Sequence, residues 1–144
     1  MKILLLLLCI SLYTTSIFAD EIENSLLPCI IEIESGGNQN AISPAGAIGL
    51  CQITPIVLAE YNQICKDDLT TKDLFYPDIN KKICIFYLRR LKDHYIPKDK
   101  FSIELLLACY NAGPTKMKKL NWDIQKAPLE TKNYIKKVLK EYYK

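Results

Sequence analysis

Glu34 is the residue whose type and position best suit acid–base chemistry. It is the only acid within residues 34–55, and an apolar helical run, residues 26–33, ends beside it at Gly36 and Gly37. A carboxyl group in the last turn of a helix faces the negative end of the helix dipole, which favours its protonated form. Neighbouring isoleucines add desolvation in the same direction. Such a group can act as a general acid; the alternative is a solvated glutamate at a helix end.

Many of the residues from Glu34 to Pro55 match the sequence signature of a known protein family. In order and spacing it resembles the signature of the soluble lytic transglycosylases, which are lysozyme-like enzymes that cut peptidoglycan. Two positions depart from that signature, since Gln39 replaces a proline and Cys51 replaces a methionine. The matching residues are Glu34, Ser35, Asn38, Ala41, Ser43, Gly46, Ala47, Gly49, Leu50, Gln52 and Pro55.

Three shorter stretches resemble further elements of the same family. The stretch A-x-Y-N-A-G ends at Gly113, and the stretch E-T-x-x-Y begins at Glu130. A third, N-x-x-x-G-x-x-Y-L, begins at Asn80, with Cys84 where glycine is usual. Taken alone, aromatic and amide residues at these positions are ordinary packing and capping groups. Glu130 alone is a dipole-favoured acid in a first helical turn.

The resemblance implies a reaction that uses one carboxyl group. Glu34 protonates the glycosidic oxygen and then takes the proton of the C6 hydroxyl, which gives 1,6-anhydro-N-acetylmuramic acid without water. No metal and no cofactor are implied. The residues that would position sugar and acid are Ser43, Gln52, Tyr110, Asn111 and Glu130.

Two other functions remain open. A goose-type lysozyme uses water on a similar fold, and an acid recruited from the connection at residues 64–77 (Asp67, Asp68 or Asp73) would support it. A non-catalytic protein that binds the cell wall is the alternative from another class. Retention of Glu34 with the matching loop argues against that third function.

The N-terminus predicts export. Residues 1–19 combine Lys2, an apolar run and Ala19 as the cleavage residue, which is typical of a secretory signal peptide; an uncleaved anchor is the alternative. Residues 20–144 then form one transglycosylase domain, since the length suits a single core. We expect a monomer in the periplasm or cell envelope that acts on peptidoglycan strands. A secretion or conjugation machine is a further partner that the resemblance leaves open.

The charge pattern excludes some partners. The net charge is +3, and nine lysines follow from residue 116 onward. This tail could favour an anionic polymer, although a solvated helix face is the simpler interpretation. No nucleic-acid motif is present, and we expect His94 to lie at the surface.

Cysteine usage predicts oxidation. Cleavage removes Cys9 and leaves five cysteines, an odd number, without the spacing of a zinc site. We expect at least one oxidised pair after export, because Cys51, Cys84 and Cys109 lie on segments that should meet behind the cleft. Buried free thiols are the alternative.

Helical periodicity and capping residues predict the elements that position these groups. The expected fold class is all-α, a mainly helical domain of the α+β lysozyme-like superfamily, with room for a small β element in the loops at 36–44 or 64–77. We expect a loop at residues 114–127. The predicted helices span residues 21–35, 45–53, 55–63, 80–95, 102–113 and 128–143.

Overall fold

The computed structural model describes residues 21–144, apart from the side chain of Glu23, so the predicted signal peptide and Cys9 lie outside the described residues. The mainly helical architecture is confirmed. Over this range the α-helices are α1 (Leu27–Ser35), α2 (Pro55–Cys65), α3 (Pro77–Arg90), α4 (Ile103–Ala112), α5 (Pro114–Lys119) and α6 (Leu129–Tyr142). Single π turns, Ile22–Leu26 and Leu91–Tyr95, precede α1 and follow α3, and 3-10 turns lie at Asp73–Phe75, Lys98–Lys100 and Ile124–Lys126.

The helix ends follow the capping residues of the sequence. The Ser102 hydroxyl accepts a hydrogen bond from the Leu105 N–H at 3.1 Å and caps α4, the helix predicted to begin at residue 102. Gly36 ends α1 in a left-handed conformation, with φ at 58°. A proline opens α2, α3 and α5, where its missing N–H removes no helical hydrogen bond.

The helix predicted at residues 45–53 is wrong. Ile48 instead forms isolated antiparallel bridges with Ile42 and with Ile53. Gly46, Gly49 and Gln52 adopt φ values of 80°, 79° and 52°, which a right-handed helix excludes. The small residues therefore build tight turns, and the bridge at Ile42 is the β element expected near residues 36–44.

The loop predicted at residues 114–127 is only partly correct. Gly113, with φ at 86°, ends α4, and Pro114 then starts α5 at once. Met117 is fully buried and anchors this short helix to the core. The Gly113–Pro114 junction therefore ends one helix and begins the next.

The core is centred on α4, whose residues 105–109 are all buried. A helix that is buried on every side must be enclosed by its neighbours, and α5 and α6 pack directly against α4 while α1 packs against α6. This packing brings the C-terminal ends of α1 and α4 together beside Tyr134 of α6. Within residues 21–144 we find no helix with the length and hydropathy of a membrane span.

Candidate active site

Glu34 lies in the last turn of α1 and is partly buried. Burial raises the pKa of its carboxyl group to about 7. Near neutral pH, both the protonated and the ionised forms are therefore well populated. Glu32, the other acid of this turn, is exposed, as expected for a residue two positions away on a helix.

Tyr134 of α6 is the polar residue that acts on Glu34 across the core. Its hydroxyl lowers the pKa of Glu34, which opposes part of the burial effect. Burial and the nearby carboxyl group raise the pKa of Tyr134 well above its usual range. The buried Tyr134 hydroxyl makes no hydrogen bond to any other side chain or backbone group among the described residues, so Glu34 is the polar group on which it acts. The sequence placed Tyr134 in a motif and in the core, but not in the site.

Asn80 of α3 anchors the loop of residues 48–53, which lies near Glu34. Its side-chain oxygen accepts a hydrogen bond from the Cys51 N–H at 2.8 Å. Its amide group donates to the carbonyl oxygens of Ile48 and Leu74 at 2.9 and 2.8 Å. Because Asn80 is fully buried, these three bonds satisfy groups that water cannot reach. The sequence matched Asn80 to the family without a role, and the structure shows that it positions the loop.

Gln52 and Ser43 hold the same loop from within. The Gln52 amide group donates to the carbonyl oxygens of Gly49 and Ala41 at 3.0 and 3.3 Å, which leaves its side-chain oxygen as an acceptor. The Ser43 hydroxyl accepts the Ala47 N–H at 3.0 Å and closes the turn between them. Both predicted site residues therefore form side-chain hydrogen bonds that stabilise the loop.

Tyr110, at the end of α4, joins this loop to the core. Its hydroxyl donates to the Cys51 carbonyl oxygen at 2.7 Å and lies 3.4 Å from the Cys84 sulfur. Burial raises the pKa of Tyr110 well above its usual range, and Glu34 adds to that effect. The phenol therefore remains protonated and acts as a donor beside the acid.

A groove of about 720 Å³ runs past Tyr110. Of the predicted site residues, Gln52, Tyr110 and Asn111 line it. Glu60 lies along the same groove, and its carboxylate accepts hydrogen bonds from Arg90 at 2.9 Å and from Tyr95 at 2.8 Å. Lys116 and Lys119 from the start and end of α5 add positive charge to its wall.

The remaining predicted residues lie outside the wall of this groove. Glu34 sits beside Tyr110, and Ser43 lies in the turn of the loop. Glu130 is exposed in the first turn of α6, four residues before Tyr134. The structure thus brings Glu34, Gln52, Tyr110 and Asn111 to one region, while Glu130 lies at the surface. A separate cavity of about 630 Å³ between α2 and α3 contains none of the predicted residues.

Acids from the connection between α2 and α3 are engaged locally. Asp73 accepts hydrogen bonds from the N–H and the hydroxyl of Thr70, both at 2.7 Å, which lowers its pKa. Asp67 accepts the Asp68 N–H at 3.1 Å. None of these carboxylates affects the pKa of Glu34. In the part of the chain that the structure describes, no cluster of three metal-ligating side chains is present.

Comparison with known proteins gives one family. The model of the transglycosylase SLT domain matches residues 15–135. The 70 kDa soluble lytic transglycosylase of Escherichia coli is 26% identical with a TM-score of 0.65, covering 79% of this chain and 20% of that chain. An inactive mutant of the lytic transglycosylase Slt from Pseudomonas aeruginosa is 24% identical with a TM-score of 0.71, covering 90% and 23%. The chain spans about a fifth of the length of either structure, and both likenesses confirm the lysozyme-like fold.

Proposed function

This chain belongs to the transglycosylase SLT domain family, and we propose that it is a peptidoglycan lytic transglycosylase. Its substrate is the β-1,4 bond between N-acetylmuramic acid and N-acetylglucosamine. The observation that carries this proposal is the state of Glu34, a partly buried carboxyl group with a pKa of about 7 beside Tyr110, which lines the groove. A pKa close to the working pH is what a group needs if it must first donate and then accept a proton.

The reaction proceeds in two halves around Glu34. Protonated Glu34 gives its proton to the glycosidic oxygen, and the bond from that oxygen to the anomeric carbon breaks. The N-acetyl oxygen of the substrate assists at the anomeric carbon. The Glu34 carboxylate then removes the proton of the C6 hydroxyl, whose oxygen attacks the anomeric carbon. Glu34 ends protonated again, no water is consumed, and the product carries a 1,6-anhydro ring.

Neighbouring side chains hold the acid and the sugar. Tyr134 offers its unused hydroxyl to the Glu34 carboxylate in the second half of the reaction, where negative charge is present on the acid. The free side-chain oxygen of Gln52 and the amide of Asn111 bind sugar hydroxyl and N-acetyl groups along the groove. Tyr110 fixes the loop behind them. Ser43 supports the turn, and Glu130, exposed in the first turn of α6, is assigned to substrate binding by the family resemblance alone.

A two-carboxylate lysozyme is the second candidate, and the electrostatics of Glu34 argue against it. Hydrolytic enzymes use a second carboxylate to activate water or to attack the sugar. Among the described residues, no carboxylate contributes to the pKa of Glu34, and Asp73 is committed to Thr70. Burial alone raises the pKa, which suits one acid that works in both directions.

Location and partners follow from the substrate. We place the chain in the periplasm or cell envelope as a monomer that meets peptidoglycan strands, after cleavage near Ala19. Opening of the wall for a secretion or conjugation machine is one use of such an activity. A non-catalytic wall-binding protein would have no need of a shielded acid with a pKa near 7.

Mass spectrometry of the products tests the proposal. Purified sacculi are digested with the protein, and the masses of the soluble muropeptides are measured without prior chemical reduction. Internal attack gives products about 18 Da lighter than hydrolysis, because no water is added. Fully hydrated reducing ends would favour the lysozyme alternative. Binding to sacculi without any soluble product would favour the non-catalytic alternative.

A further inference from the structure

Two fully buried cysteines, Cys51 and Cys84, meet behind Glu34. Cys84 lies on α3, one turn after Asn80, and residues four apart share a helix face. Asn80 holds the backbone N–H of Cys51 at 2.8 Å. The same bond therefore brings Cys51 to the Cys84 side of the helix, where Cys84 is close enough to affect the pKa of the Cys51 thiol.

Tyr110 closes this contact from the opposite side. Its hydroxyl donates to the Cys51 carbonyl oxygen at 2.7 Å and lies 3.4 Å from the Cys84 sulfur. Three separate contacts thus hold Cys51 against Cys84. Tyr110 bridges the Cys51 backbone and the Cys84 sulfur, so the two residues are close neighbours. A disulfide bond joins cysteines whose Cα atoms lie within roughly 7 Å of each other. The two residues are also positions at which the chain departs from the family signature.

We propose that Cys51 and Cys84 are a disulfide site that ties the loop of residues 48–53 to α3 directly behind Glu34. The two thiols lose two protons and two electrons when the S–S bond forms. The co-reactant is a disulfide compound such as glutathione disulfide, which takes up those electrons and protons by thiol–disulfide exchange and leaves as two thiols.

The other cysteines do not compete for this bond. Cys109 is buried on α4, and burial alone raises its pKa, with no other thiol acting on it. Cys29 lies on α1 near Glu141, and Cys65 is exposed at the end of α2. All five described cysteines are free thiols in this structure. The proximity of Cys51 to Cys84 therefore selects one pair from the several that the sequence allows.

Burial decides when the bond forms. Hydrogen bonding to Cys84, together with burial, raises the pKa of Cys51 far above its usual range. Because the thiolate is the reactive species, the folded protein exchanges slowly. The bond therefore forms while the chain folds in an oxidising compartment, and folding then shields it from reductants. It closes a loop of roughly 33 residues and restrains Gln52, the next residue in the chain, in its left-handed conformation.

Peptide mapping tests the pairing. The purified mature chain, residues 20–144, is refolded in a mixture of reduced and oxidised glutathione, denatured in the presence of iodoacetamide so that free thiols are alkylated, and digested without reduction. We expect a linked peptide pair that joins Cys51 to Cys84, with Cys29, Cys65 and Cys109 alkylated. Alkylation of both Cys51 and Cys84 in the main species would overturn the proposal, as would a bond from either residue to another cysteine.

Thermal unfolding provides a second readout. The refolded wild type should lose on the order of 10 °C of melting temperature when the denaturation is carried out with dithiothreitol, because the crosslink restricts the unfolded chain. Cys51→Ala should melt at the same temperature with and without the reductant. Cys109→Ala is the matched control and should keep the full dependence. A wild type insensitive to reductant, or a persistent dependence in Cys51→Ala, would contradict the inference. Neither readout uses catalysis, so this test is independent of the proposed function.

Discussion

The Asn80 amide of α3 lies where a side chain on Gly49 would have to be. A Cβ atom at Gly49 would clash with the Asn80 amide nitrogen and with the Leu74 carbonyl oxygen. The backbone of Gly49 also has φ at 79°, which side-chain-bearing residues rarely adopt. Close packing and backbone conformation thus require glycine at one position, and the loop that carries Gln52 depends on it.

Substitution Gly49→Ala should lower the free energy of unfolding by about 3 kcal/mol, as the sum of backbone strain and overpacking. Urea denaturation measures the change. Gly37→Ala is the matched control, because Gly37 has φ at 78° and no atom within 4 Å of an added Cβ. It carries the backbone strain alone and should cost about 1 kcal/mol. Equal losses in the two variants would show that Asn80 is not packed against Gly49.

Substitution Glu34→Gln should abolish product formation, since one group supplies both proton transfers. General acid–base catalysis alone contributes about 10²–10⁴-fold, and here both halves of the reaction lose it. Turnover of sacculi measures the effect. Asp67→Asn and Asp68→Asn are controls that should keep most of the activity. Undiminished cleavage by Glu34→Gln would contradict any mechanism centred on this residue.

The same substitution should change stability in a pH-dependent way. The pKa of Glu34 is raised on folding from 4.5 to about 7, so the folded state binds this proton more tightly than the unfolded state. Wild-type stability therefore falls as pH rises between these two values. At pH 8, Glu34→Gln should be more stable than the wild type by roughly 2 kcal/mol, after allowance for partial solvent screening. At pH 4 the two should be alike, and a pH-independent difference would argue against the raised pKa.

Substitution Tyr134→Phe should move the pH dependence of kcat/KM. The Tyr134 hydroxyl lowers the pKa of Glu34, so its removal should raise that pKa. Activity that needs protonated Glu34 should then persist to higher pH, and the alkaline limb should shift upward. Tyr142→Phe is the control on the same helix, because the Tyr142 hydroxyl bonds to Glu21 instead. An equal shift of the alkaline limb of the kcat/KM profile in both variants, or no shift in either, would show that the Tyr134 hydroxyl does not act on Glu34.

The lysines on the groove should strengthen binding to the wall. Peptidoglycan is an anionic polymer, and Lys116 and Lys119 line the groove. In the Glu34→Gln background, the double change to alanine should weaken cosedimentation with sacculi and reduce its salt dependence. The pair Lys136 and Lys137, exposed on α6, is the matched control and should have a smaller effect. An equal loss from both pairs would indicate general charge attraction.

Local patterns in the sequence determined most of the helices and the candidate acid. The end of α1 at Gly36, the cap at Ser102 and the periodicity of α6 depend on neighbours within a few residues, so they can be predicted without the fold. Glu34 was predicted for the same reason, because a helix end and a run of isoleucines are local features. The raised pKa follows from the burial that these features indicated.

Only the tertiary structure decided the course of residues 45–53 and the surroundings of Glu34. The turns of that segment depend on Asn80, about 30 residues later in the chain, whose bonds to Ile48 and to Cys51 outweigh local helix preference. The interaction of Tyr134 with Glu34 and the proximity of Cys51 to Cys84 likewise join residues that are distant in the sequence. Helical periodicity shows that such residues are buried, whereas the packing of one helix on another determines which of them meet.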